Sequence, residues 1–180
     1  IAGSGNINLS GGALDLFINV AQNSTSGLSF SAQRNIFVDA AVTSTSNVQF
    51  NSGTDTVVNA NVSAVGGNVT ATTGGAFTVN AQINAGTDVV VTSTGVVTDS
   101  NSVMAGRDVS FTSTSSKIDV TAPVHAIRDI HLSASTTIDS TAAFTVGGGM
   151  TVNSGQTTTL SPAATITTGA GGLSMTVGNL

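Results

Sequence analysis

One column of apolar residues runs through the whole chain: Ile7, Leu28, Val48, Val69, Val89, Val109, Ile130, Met150 and Leu173. Their successive spacings are 21, 20, 21, 20, 20, 21, 20 and 23 residues. A period of this length describes a supersecondary unit too small to bury its own apolar face, so the units must stack. Two residues further on stand Leu9, Phe30, Phe50, Ala71, Val91, Phe111, Leu132, Val152 and Met175, again all apolar. The residue between is polar in every unit except at Val90. Alternation with period two marks a strand with one buried face.

The flanks repeat as well. Before each pair comes Asn6, Gly27, Asn47, Asn68, Asp88, Asp108, Asp129, Gly149 or Gly172. These residue types tie turns together or tolerate unusual backbone. After each pair comes Ser, Thr or Asn. A second apolar arm reads Leu16/Ile18, Ile36/Val38, Thr56/Val58, Phe77/Val79, Val97/Asp99, Ile118/Val120, Ile138/Ser140 and Leu160/Pro162. A third reads Val42/Ser44, Val62/Ala64, Ile83/Ala85, Val103/Ala105, Val124/Ala126, Phe144/Val146 and Ile166/Thr168. Between the two arms lies Ala40, Ala60, Ala81, Ala122, Ala142 or Ala164, as a narrow corner requires.

Three short strands in every 20 or 21 residues specify an all-β fold. The expected architecture is a single right-handed parallel β-helix, a β-solenoid of about nine rungs over residues 1–180. The handedness follows from the rule for parallel crossovers. The Thr, Val and Gly content opposes helix, and no 3.6-residue period appears. The chain begins and breaks off within the repeat, so it reads as one segment of a longer shaft.

Composition narrows the function. The net charge is -5, with four basic residues, Arg34, Arg107, Lys117 and Arg128. Four cations cannot form a stripe that tracks phosphates, so nucleic acid is not an expected partner. No apolar stretch approaches the ~20 residues that a spanning helix needs. The chain has no Cys, Trp or Tyr, which removes thiolate ligands and the larger sugar-stacking rings.

Candidate chemistry is sparse. Asp88, Asp108 and Asp129 share one column, and carboxylates ~5 Å apart could hold a cation such as calcium. Asn47 and Asn68 in the same column favour a turn-capping role, because hydrogen bonding persists there while charge does not. Arg107 and Arg128, one residue earlier, offset the repulsion. Asp119 and Asp139 form a second outward pair that could do acid–base work on a polysaccharide. Asp99 falls in a Val/Ile slot; a local bulge around Val96-Val97 is expected to turn it outward. His125 and His131 should point outward and make no metal site. No catalytic, cofactor-binding or metal residue is therefore assigned, no cofactor is expected, and the chain is not expected to be an enzyme.

The stretches Ala105-Gly106-Arg107-Asp108-Val109-Ser110-Phe111-Thr112, Ala85-Gly86-Thr87-Asp88-Val89-Val90-Val91-Thr92 and Gly66-Gly67-Asn68-Val69-Thr70-Ala71-Thr72 resemble the haemagglutinin-type repeat. In that repeat a Gly-x-Asp/Asn turn leads into an alternating strand. The chain is thus similar, over essentially its whole length, to the shaft of filamentous haemagglutinin-like exoproteins of bacterial two-partner secretion. The resemblance implies a secreted or cell-surface adhesin with an outer-membrane secretion partner. It implies contact with a host cell, matrix or neighbouring cell through other parts of the protein. Three alternatives stand beside it: a self-stacking extracellular filament subunit, a polysaccharide-acting enzyme on the same fold, and an ice-binding solenoid. The last wants a strict Thr-x-Thr column, and the outward columns here mix Asn, Ser, Gln, Thr and His.

Overall fold

A computed structural model describes residues 2–3, 7–161 and 163–178; the expectations placed on Asn6 and Pro162 lie outside them. All regular structure among the described residues is β, arranged as a coil of three parallel sheets. Each turn contributes one strand to each sheet. The first, such as Val48–Ser52, enters a nine-stranded sheet of longer strands. The second, such as Thr56–Val58, enters an eight-stranded sheet, and the third, such as Val62–Ala64, enters another nine-stranded sheet. The coil makes about eight turns, which at ~4.8 Å each gives a rod ~40 Å long.

The columns read from the sequence are the register of the sheets. In the long-strand sheet Val48 pairs with Val69, Val69 with Val89, Val89 with Val109, and Val109 with Ile130. In the third sheet Val42, Val62, Ile83, Val103, Val124 and Phe144 stand on one another. Burial alternates as the period of two requires, and the column residues from Leu28 to Met150 are almost wholly enclosed. On strand Gly172–Val177 the residues in the same inward positions, Leu173, Met175 and Val177, are exposed.

Core volume is distributed by rung. Five Phe residues are fully buried, and no two of them share a rung: Phe30, Phe50, Phe77, Phe111 and Phe144. Where the long-strand sheet carries Ala71, the second sheet supplies Phe77 in the same rung. Phe30 and Phe50 fall in successive rungs and stack with centroids 5.3 Å apart and planes 14° from parallel. The rung from Val89 to Ala105 has no aromatic at all; its interior is Val89, Val91, Ser93, Val97, Asp99, Val103 and Ala105.

The structure corrects two sequence expectations and adds one column. In the second arm Ile138 pairs with Thr158 and Ser140 with Leu160, so Leu160 occupies the second inward slot rather than the first. Thr158 holds the first slot because its hydroxyl is tied 2.9 Å from that of Ser154, just as Thr56 is tied 2.8 Å from Ser52. There is no bulge at Val96-Val97: strand Val97–Asp99 is regular, and Asp99 points into the core beside Val79 and Val120. The added column is a third inward position at the end of each long strand, held by Ala32, Ser52, Thr73, Ser93, Ser113, Ala134 and Ser154. Ser52, Thr73, Ser93 and Ser113 are tolerated there because their hydroxyls bond turn carbonyls. Ser113 Oγ donates to Gly95 O at 2.7 Å, and Thr73 Oγ1 donates to Gly75 O at 3.1 Å.

Candidate functional site

The Asp column at the entry to the long strands is an inter-rung ladder. Each side-chain oxygen accepts the backbone N–H of the equivalent residue on the following rung. Asn47 Oδ1 accepts from Asn68, Asn68 Oδ1 from Asp88, and Asp88 Oδ1 from Asp108, at 2.9, 3.1 and 3.3 Å. Asp108 Oδ1 continues it to Asp129 at 3.1 Å, and Asp129 Oδ1 to Gly149 at 2.8 Å. The turn-capping expectation is correct in kind but wrong in direction: the cap spans two rungs instead of closing a local turn. Amide and carboxylate serve equally, because one acceptor oxygen is all the ladder needs.

The arginines sit on this ladder with a one-rung offset. Arg107 grips Asp88 with both its Nε, at 2.7 Å, and its Nη2, and Arg128 grips Asp108 the same way with Nε at 2.8 Å. Such two-pronged pairing is the strong form of the carboxylate–guanidinium contact. The hydrogen bond from Arg107 holds the Asp88 carboxyl below its ordinary range, against the opposing pull of burial. A carboxylate already facing an arginine and a backbone N–H is poorly placed to bind a cation. No group of three or more His, Cys, Asp or Glu residues suited to a metal occurs among the described residues.

This ladder makes a testable distinction. Asp108→Asn keeps the acceptor for the Asp129 N–H and loses only the partly exposed ion pairs with Arg128 and Arg107, so stability should fall by less than ~1 kcal/mol. Asp108→Ala removes the acceptor too and should cost about 1 kcal/mol more. Thermal unfolding with and without calcium should give the same midpoint; a rise of several degrees with calcium would mean that the column binds it.

A second ladder runs along the next corner. Asp15 Oδ1 accepts the Asn35 N–H, Asn35 Oδ1 the Asp55 N–H and Asp55 Oδ1 the Ala76 N–H, at 3.1, 3.0 and 2.7 Å. A third joins side chains directly, from Asn59 Nδ2 to Asp39 Oδ1 at 2.8 Å and from Asn80 Nδ2 to Asn59 Oδ1 at 2.9 Å. These polar columns hold the corners in register where the strands stop.

Asp119 and Asp139 are direct neighbours on the outer face of the second sheet, and Lys117 Nζ lies 3.2 Å from Asp119. Both lie within strands, and neither lines the groove around Gly27 or the one beneath Met104. His125 and His131 both occupy outward positions, on different sheets, so the structure does not bring them together.

The surface formed by the described residues includes shallow grooves. One is polar, with the side chains of Asn8, Ser29, Asn47 and Gln49 around Gly27, where the capping ladder lacks a side chain. Another is mainly apolar, with Met104, Ile127 and His125 over Ala85, Ala105 and Gly106. Stacked Phe17 and Phe37 form an outward aromatic pair on the second sheet, centroids 4.9 Å apart. None of these was legible as a site in the sequence, because each arises from what neighbouring rungs lack or share.

Among the described residues, Asp99 is the one ionisable side chain wholly enclosed in the core, at 0 % exposure. Its Oδ1 accepts a long bond from the Asn101 N–H, 3.4 Å, and its Oδ2 has no hydrogen-bond partner. Burial pushes its carboxyl up to about 8, opposed only by that Asn101 N–H. Comparison with protein-family models, with curated proteins and with solved structures finds no match to this chain.

Proposed function

We propose that this chain is a structural shaft segment of a secreted or cell-surface bacterial adhesin or fibre, which spaces or presents a binding tip carried elsewhere. The observation that supports this reading is the unbroken register of the coil. From Ile7 to Val177 each strand of the long-strand sheet pairs with its equivalent one turn away, without an inserted element. A β-solenoid of this regularity transmits length and stiffness, since each rung is held by its two neighbours. The outer strand positions are mostly Ser, Thr, Asn and Gln with few charges, interrupted by exposed apolar residues such as Phe17, Val90 and Met104. The resemblance to the haemagglutinin-type repeat adds the extracellular setting and the outer-membrane secretion partner.

The test is immunogold electron microscopy of the producing bacterium with antibodies raised against residues 7–178. Label should lie outside the cell, along thin rods. Label confined to the cytoplasm would sink the reading. In the same preparation, no polysaccharide should be cleaved; hydrolysis or elimination that disappears with Asp119→Ala would establish the enzymatic alternative instead.

A further inference from the structure

In seven rungs, the column that Asp99 occupies holds Ile18, Val38, Val58, Val79, Val120, Ser140 and Leu160. Only Asp99 brings an ionisable group there. Its rung differs in two other ways. Asn101 replaces the small residue that the corner holds as Ala40, Ala60, Ala81, Ala122 or Ala142 in other rungs. And this rung is the one between Leu28 and Val146 without a buried Phe. A buried acid, a polar corner and the smallest interior thus coincide in a single turn.

Among the described residues, no charged group faces Asp99 to balance a charge. The strands packed on it are Phe77–Val79, Ile118–Val120 and, across the core, Val109–Ser113. Their single ionisable residue is Asp119, which faces outward to Lys117. The corner residues Ser100, Asn101 and Ser102 carry none, and Thr121 donates its N–H and hydroxyl to the Asp99 carbonyl, not to the carboxyl. An ionised carboxylate with one oxygen unpartnered is too costly to keep in such a place. Either the proton stays on or the group reaches water.

We propose that Asp99 makes its turn a proton-controlled joint in the rod: the turn is closed while the carboxyl is protonated, and ionisation opens it. Because each rung touches only its neighbours, the opening is confined to the strands from Val89 to Ala105 and their immediate contacts. The upward displacement of the Asp99 carboxyl by burial puts the transition near neutral to mildly alkaline conditions. An open joint would present unpaired strand edges in mid-rod, a place for bending or for pairing with another chain.

Amide hydrogen exchange of the full chain, followed by mass spectrometry across pH, tests this directly. Opening that releases one proton should raise the opening constant of the Val97–Asp99 strand about tenfold per pH unit between the two carboxyl pKa values, after correction for intrinsic exchange. The strands Thr56–Val58 and Val62–Ala64 should show no such slope. Asp99→Asn, which cannot ionise, should abolish it, and Asp99→Val serves if the Asn variant does not fold. A slope that persists in either variant, a slope shared equally by distant rungs, or no slope in the natural chain would each overturn the proposal.

Discussion

Replacing Phe50 by Ala should destabilise the rod by about 3–5 kcal/mol, the range for a fully enclosed aromatic. Phe50 is 0 % exposed and lies between two unlike neighbours in its column, Phe30 on one side and Ala71 on the other. The Phe30 ring would lose its stacking partner. Toward Ala71 there is no bulk to fall into the vacancy, since that rung is already filled from the opposite side by Phe77. The hydrogen-bonded ladders at the corners fix the rung spacing, so the coil cannot close the gap by sliding. The loss should be read by chemical denaturation. Hydrogen exchange should place it in the rungs from Leu28 to Ala85, with those beyond Val124 hardly affected. A loss under ~1 kcal/mol would show that the interior repacks freely and that rung-by-rung filling is not what fixes the aromatic positions.

That interior also explains how far the sequence could be read. The period and the strand columns were legible because like residues stack on like, and three arms with period-two alternation leave one topology. The Phe distribution was visible only as apolar occupancy. Its limit of one buried ring per rung depends on which arms face each other across the core. The buried Ser and Thr column was hidden for a chemical reason: Ser93 and Ser113 look like surface residues until the turn carbonyls of Gly75 and Gly95 are seen to accept from them. The same holds for Thr158, whose inward slot the nearby Leu160 seemed to claim. Of the Asp column, the sequence showed the hydrogen-bonding role through its exchange with Asn. It could not show that the bond crosses to the next rung, or that Arg107 and Arg128 reach back by a whole turn.

Asp99 is where the sequence expectation and the structure part most sharply. A buried lone carboxyl is so unfavourable that a bulge was the cheaper expectation, yet the strand is regular and the residue inward. Asp99→Val, which completes the column of Val79 and Val120, should therefore stabilise the rod. Removing a buried, unsatisfied polar group is worth about 1–3 kcal/mol, and replacing it by a side chain that fits adds apolar burial. The gain should depend on pH with a definite sign. The unfolded carboxyl titrates near ~3.9, whereas the folded one is pushed up to about 8. Between those values the folded chain holds the extra proton, so stability falls as pH rises. The contribution of the proton is complete below about pH 4 and gone above about pH 8. Asp88, whose carboxyl is held low by Arg107, acts in the opposite sense at acid pH, but it is common to both proteins and cancels in their difference. Urea unfolding in acid, neutral and alkaline buffer should accordingly show Asp99→Val gaining least in acid and most in alkali. If the two proteins respond to pH in parallel, the Asp99 carboxyl has found a partner or water, and the joint it is held to form does not exist.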